Sequence, residues 1–316
     1  MATITDNDAA YRGYVSLLLE LHRLMKDGQS DSEEADRVRE ASESFWWKLS
    51  DEQQDRVTNL SEDLFSLEAT QSEADDGFHG YATEQAKQHL ERLYSEQNWR
   101  EILGILQQDA DLVTPDVASY YRGRGWIGLG ELEAGILFLR DAARRNSFFA
   151  PSMIVPLVRT ERIDEAKHFC NVAIPQVNEP ILNRFLTAHG CGTIAVHAAE
   201  EERMSWAKLA ADIFEEVIAR GVIENTDAEL LTSTYSCLSI NYVVLGNRQQ
   251  ATSACERALA IDPKSPQARF VEAWLQSEWA EQDGVSDSST EVLKALVDIR
   301  LNESRFTILP SMLPAA

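Results

Sequence analysis

Residues 235–263 read YSCLSINYVVLGNRQQATSACERALAIDP, and the spacing of small, aromatic and punctuating residues within them decides the fold. From Ser239, an aromatic follows three positions on at Tyr242, then Gly246, Ala251, Cys255, Ala258 and finally Pro263. Each position has a physical reason. Small residues let two helices approach closely, the aromatic fills the wedge between neighbouring pairs, and glycine ends the first helix in a left-handed turn. Proline then blocks continuation of the second helix. The stretch reads as one complete helix–turn–helix hairpin.

The same offsets return at Gly123, Trp126, Gly130, Gly135, Leu139 and Ala142, with Ser147 in place of the closing proline. Looser copies follow. Residues 151–174 keep Ala166, Cys170 and Ala173 at the second-helix spacing, with Pro156 predicted to kink the short first helix. Residues 180–220 keep Ala210, Phe214 and Val217. The small second-helix residues at 135, 166, 210 and 251 lie 31, 44 and 41 positions apart, which predicts an irregular superhelix.

This pattern resembles the tetratricopeptide repeat, whose first helix carries W-x2-L-G-x2-Y and whose second carries A-x3-F-x2-A before a proline. Tyr235 and Leu238 stand for the Trp and Leu, and Cys255 stands where Phe is usual. The resemblance is clear over residues 115–150 and 228–265 and extends roughly over 80–280. It implies an all-α, tetratricopeptide-like helical solenoid. The expected organisation is an acidic helical section over 1–76, repeats over 77–282, and a capping helix with a tail over 283–316.

The first section is helical by periodicity. Tyr11, Tyr14, Val15, Leu18, Leu21, His22 and Met25 form one stripe that Gly28 ends. An acidic helix runs from Ser32 into Phe45, Trp46 and Trp47; Ser50 with Gln53 forms a capping box for a third, with Val57, Leu60, Leu64, Phe65 and Leu67 as its apolar face. Residues 1–76 hold 19 Asp plus Glu against 7 Lys plus Arg. The polar run 68–77 reads as a linker, and the three aromatics at 45–47 are expected to dock on the first repeat.

Helices are expected at 81–96, with His89, Leu90, Leu93 and Tyr94 inward, and at 98–109, with Trp99, Ile102, Leu103 and Leu106 inward. Thr114 and Pro115 start the next. Thr226 with Glu229 and Ser265 with Pro266 mark later helix starts. The helix after Pro266 is expected to bury Phe270, Trp274, Leu275 and Trp279, and Ser288 with Glu291 opens a final helix through Leu293, Leu296, Val297 and Leu301.

The chain has 316 residues, of which 44% are hydrophobic and 26% charged, an ordinary globular balance. A net charge of −23 opposes phosphate backbones and anionic membranes, so neither nucleic acid nor membrane is expected as a partner. No secretory leader or apolar run long enough to span a bilayer is visible, and a cytoplasmic location is expected. Cys170, Cys191, Cys237 and Cys255 sit singly in helical patterns, which fits core thiols rather than a zinc site or disulfide framework.

Catalytic signatures are weak. His189, Cys191 and His197, with Glu200–Glu202 nearby, hold residue types of metal and nucleophile sites. Their spacing fits no zinc motif, however, and the two histidines stand about 12 Å apart along one helix face. A tight helix crossing at Gly190 and Gly192 accounts better for the segment. Adjacent carboxylates such as Glu215 and Glu216 are solvated faces, and no phosphate loop or nucleophile elbow occurs. No cofactor or metal is expected.

One stretch departs from the acidic balance. In residues 117–170, Arg122, Arg124, Arg140, Arg144, Arg145, Arg159, Arg162 and Lys167 outnumber six acidic residues. In tetratricopeptide proteins the first helices line a concave groove for extended peptides. The resemblance places Tyr120, Arg124 and Ile127 on that groove, where an aromatic beside an arginine suits an acidic peptide or a carboxylate. The bland reading is that these arginines pair with neighbouring acids. The family's carboxylate clamp needs an Asn where this chain has Arg124 and Ile240, so that activity does not carry over. The expected function is a non-catalytic scaffold or adaptor that binds a protein or peptide. The alternatives are an α-helical enzyme with a site near His189, Cys191 and His197, and a small-ligand or signalling-peptide sensor.

Overall fold

A computed structural model describes residues 6–72, 84–109, 112–223 and 227–277. Among these residues the chain is all-α, with no strand. In chain order the helices are α1 (Asp6–Lys26), α2 (Glu33–Trp46), α3 (Asp51–Ser72), α4 (Glu84–Ser95), α5 (Trp99–Gln108), α6 (Pro115–Gly128) and α7 (Leu132–Arg145). There follow a 3-10 turn (Ser147–Phe149), α8 (Pro151–Arg159), α9 (Ile163–Ala173), α10 (Ile181–His197), α11 (Glu200–Ile223), α12 (Ala228–Val244), α13 (Arg248–Ile261) and α14 (Pro266–Ser277). Among the described residues no helix is long and apolar enough to cross a membrane. Tyr81, the linker beyond Ser72, Thr226, Trp279 and the final helix expected after Ser288 lie outside the described residues.

Local chemistry explains where these helices begin and end. Ser50 and Gln53 form the reciprocal capping box, amide to side chain, at 3.0 and 3.3 Å. The Ser32 hydroxyl accepts from the Ala35 amide at 3.1 Å. At α12 the cap is Asp227, whose carboxylate accepts from the Glu229 amide. Five helices end in one shared turn, at Gly28, Gln97, Gly130, Glu161 and Gly246, each with positive φ. In each, that residue's amide donates to the carbonyl three back and the next amide to the carbonyl five back, at 2.8–3.0 Å. After the last four, a new helix starts two residues on, at Trp99, Leu132, Ile163 and Arg248. Gln97 and Glu161 hold the left-handed conformation despite a Cβ, and for that reason composition alone hides two of the turns.

The helices fall into two compact units. The first comprises α1–α3, α5, α6 and α7 up to Asp141. Its core gathers Val15, Val57, Leu60, Leu64, Leu103, Trp126 and Phe138. Phe45 and Trp46 pack on that core, Trp46 with its ring 5.7 Å from Tyr14. The third aromatic departs from its expected docking, since Trp47 is 82% exposed. Phe65 departs likewise, standing 51% exposed on the solvent side of α3. Two polar ties join the acidic helices to α6 and α7. Tyr11 donates to Glu131 at 2.7 Å while Arg56 pairs with the same carboxylate at 2.6 Å. Asp63 of α3 is buried, accepting from Trp126 Nε1 at 2.8 Å and Arg122 Nε at 3.1 Å. Arg122 also donates to the Leu106 carbonyl.

The second unit comprises α4, the end of α7 and α8–α14. Alternate helices pack side by side, α8 on α10, α10 on α12 and α12 on α14, while α9, α11 and α13 pack behind their predecessors. The first-helix row is tight at α10. A Cβ on Gly190 would come within 2.7 Å of Ile154 of α8, and one on Gly192 within 2.9 Å of the Asn241 amide of α12. Arg184 of α10 is buried and bonds bidentately to Glu216 of α11 at 3.1 and 2.6 Å. On α14, Trp274 and Leu275 are buried as expected, but Phe270 is exposed.

Candidate functional site

Tyr120, Arg124 and Ile127 lie on α6 in the first unit, four and three residues apart and so on one side of the helix. Tyr120 is 2% exposed, edge-on to Tyr121 with centroids 5.7 Å apart. Its ring is packed rather than presented, which corrects its expected place on an open groove. Arg124 and Ile127 are half-buried. Ile127 lies where α6 closes on α7, its Cγ1 2.4 Å from the place a Cβ on Gly135 would occupy. Within the basic stretch, Arg122 pairs with Asp63, Arg162 with Glu165, and Lys167 with Glu202 at 2.5 Å. For these three the bland reading holds.

On α10, His189 and Cys191 are two residues apart and therefore point to opposite sides of the helix. Cys191 is buried with its sulfur 3.0 Å from that of Cys170 on α9. Contact with Cys170, and then burial, push its thiol well above the usual range. That is the reverse of an activated nucleophile. His189 is half-buried, its ring stacked on Phe185 at 6.1 Å. Among the described residues no three His, Cys, Asp or Glu side chains gather as a metal site.

The side of α10 that carries His189 borders a small recess of about 20 Å³ in the second unit. Gly192 and Thr193 of α10, Phe214 of α11 and Cys237, Ile240 and Asn241 of α12 complete its lining. The recess exists because Gly192 has no side chain where α10 meets Asn241. Its floor is apolar through Phe214, Ile240 and Cys237. Its polar groups are held in place: Thr193 donates to the His189 carbonyl at 2.8 Å and Asn241 Nδ2 to the Cys237 carbonyl at 2.9 Å. Both side chains retain an oxygen able to accept a further hydrogen bond.

Protein-family models, curated proteins and solved structures include no match to this chain. The site therefore rests on its own geometry. Sequence reasoning singled out His189 and Ile240 for other purposes and missed their convergence, because they lie on helices separated by all of α11. The signal that bore on the recess was the glycine at 192, read as a tight crossing.

Proposed function

We propose that the protein is a tetratricopeptide-like scaffold that binds a peptide or protein without catalysing a reaction, using the α10–α12 recess to hold one anchoring side chain. The observation that carries the proposal is the recess itself, cut into the first-helix row of the second unit. Its volume of about 20 Å³ lies far below the ~300–1,000 Å³ typical of small-molecule sites and suits the tip of one small apolar side chain. The apolar floor would take that group, and the Thr193 and Asn241 oxygens, enclosed at 1% and 4% exposure, would accept only from a donor that enters with it.

The repeat register supports the fold assignment. Counting from the left-handed residues 97, 130, 161 and 246, the positions four before and five after are buried in every copy: Leu93 and Ile102, Trp126 and Gly135, Leu157 and Ala166, Tyr242 and Ala251. The protonated, enclosed Cys191 and the opposed directions of His189 and Cys191 weigh against the enzyme alternative. An acidic segment in the partner remains part of the proposal through Arg124, as a contact made by the first unit.

The test is selection of peptides from a random display library on the full chain, followed by affinity measurement. His189→Glu should weaken selected peptides at least about tenfold while far-UV circular dichroism stays unchanged, and Arg124→Glu should weaken acidic ones. Selected peptides that bind His189→Glu at undiminished affinity would remove the recess from the proposal.

A further inference from the structure

The contact between Cys170 and Cys191 lies apart from the lining of the recess. The two sulfurs come from different helices, α9 and α10, and stand 3.0 Å apart, closer than unbonded sulfurs ordinarily approach. Both residues are fully buried and both are free thiols. A disulfide bond is about 2.05 Å long, so roughly 1 Å of closure separates the dithiol from the bonded state. The crossing is held on both flanks, by Gly190 against Ile154 and Gly192 against Asn241, which keeps Cys191 aimed at α9. The other two cysteines are placed differently. Cys255 donates to the Ala268 carbonyl at 3.2 Å, and Cys237 borders the recess.

We propose that Cys170 and Cys191 are a redox-responsive dithiol that a peroxide converts into an intramolecular disulfide stapling α9 to α10. In the first step, with α9 and α10 parted so that the contact and burial that suppress Cys191 are relieved, the Cys170 sulfur attacks hydrogen peroxide; the S–O bond forms, the O–O bond breaks, and the departing hydroxide takes the thiol proton and leaves as water. In the second step the other sulfur attacks this sulfenic acid. The S–S bond forms, the S–O bond breaks, and the hydroxide leaves with the second thiol proton as a second water. The two sulfurs together lose two electrons, and one peroxide is reduced to two waters. Burial makes oxidation depend on local parting of α9 from α10, because peroxide has no open path to either sulfur in the closed crossing. Once formed, the bond closes a short loop through the α9–α10 connection and restricts the unfolded chain.

The test treats the reduced full-length chain with excess hydrogen peroxide, then unfolds it in an alkylating reagent and maps its peptides by mass spectrometry. The expected product is lighter by two hydrogens, contains one Cys170–Cys191 cross-linked pair and leaves Cys237 and Cys255 alkylated. Dithiothreitol reverses it. The oxidised chain should melt roughly 5 °C or more above the reduced one. Cys191→Ser should form no intramolecular cross-link and leave a sulfenic acid on Cys170 that a dimedone probe captures. Four alkylated thiols after peroxide, separate sulfinic acids at 170 and 191, or a bond to Cys237 or Cys255 would each overturn the proposal. Should Cys191→Ser fail to fold, the wild-type peptide map decides by itself.

Discussion

The shared left-handed turn makes a prediction of opposite sign at two sites of the second unit. Gly246 has φ +71° and nothing lies within 4 Å of where its Cβ would be, so Gly246→Ala meets no steric obstacle and changes only the backbone term. Placing an L-residue in this conformation costs about 1–2 kcal/mol, offset by about 0.4–1 kcal/mol from the stiffer unfolded chain. The expected net loss is about 1 kcal/mol. Glu161 holds φ +59° with an exposed side chain, so Glu161→Gly relieves the same term and should gain up to about 1 kcal/mol. With a urea m-value of about 2 kcal/mol/M, the midpoints should move by roughly 0.5 M in opposite directions. Urea titration followed by far-UV circular dichroism measures this, with hydrogen exchange on α8–α9 and α12–α13 assigning the change to its hairpin. A Glu161→Gly chain less stable than wild type, or Gly246→Ala indistinguishable from it, would refute the idea that backbone conformation governs these turns.

Four further outcomes follow from the packing. Burial, outweighing Arg122 and the Trp126 hydrogen bond, pushes the Asp63 carboxyl above its usual range. Its folded-state value thus exceeds its unfolded one, so its contribution is full below the ordinary carboxylate range and lost as pH rises through the raised folded value. Asp63→Asn should flatten that slope in urea midpoints measured across pH. Asp63→Ala, which also strands Arg122 in the interior, should cost about 3–5 kcal/mol in denaturant titration at neutral pH. Gly135→Ala would bring a Cβ within 2.6 Å of the Gly123 carbonyl, a backbone atom with no room to yield, and should lower stability by about 1–3 kcal/mol. Gly104 of α5 has nothing within 4 Å, so Gly104→Ala should instead stabilise by about 0.5–1 kcal/mol in the same assay.

Recognition of the opening repeat pointed toward its earlier copy as the place of chemistry, on the strength of Tyr120 and Arg124. The geometry reverses that weighting. Both Tyr120 and Ile240 are buried, but Ile240 of the better-kept repeat, plain by residue type, borders the small recess. Residue identity marks which side chains have chemical potential, but only neighbours on other helices determine which of them meet space. Trp46 and Trp47 make the same point: adjacent and alike in type, one packs against Tyr14 and the other stands in solvent.

By itself the sequence determined the helices, their hairpin phasing and some of their caps, Ser50 and Ser265 among them, since periodicity, Ser–Gln boxes and glycine turns act within one or two helical turns of chain. It placed Gly246 and Gly130 correctly because a positive φ favours the residue without a side chain. Tertiary structure decided the burial of Asp63 beneath Arg122 and Trp126, the meeting of Cys170 with Cys191, and the opening between α10 and α12. Each of these joins residues from separate helices, and such a meeting depends on how whole helices cross, a property that no local pattern encodes.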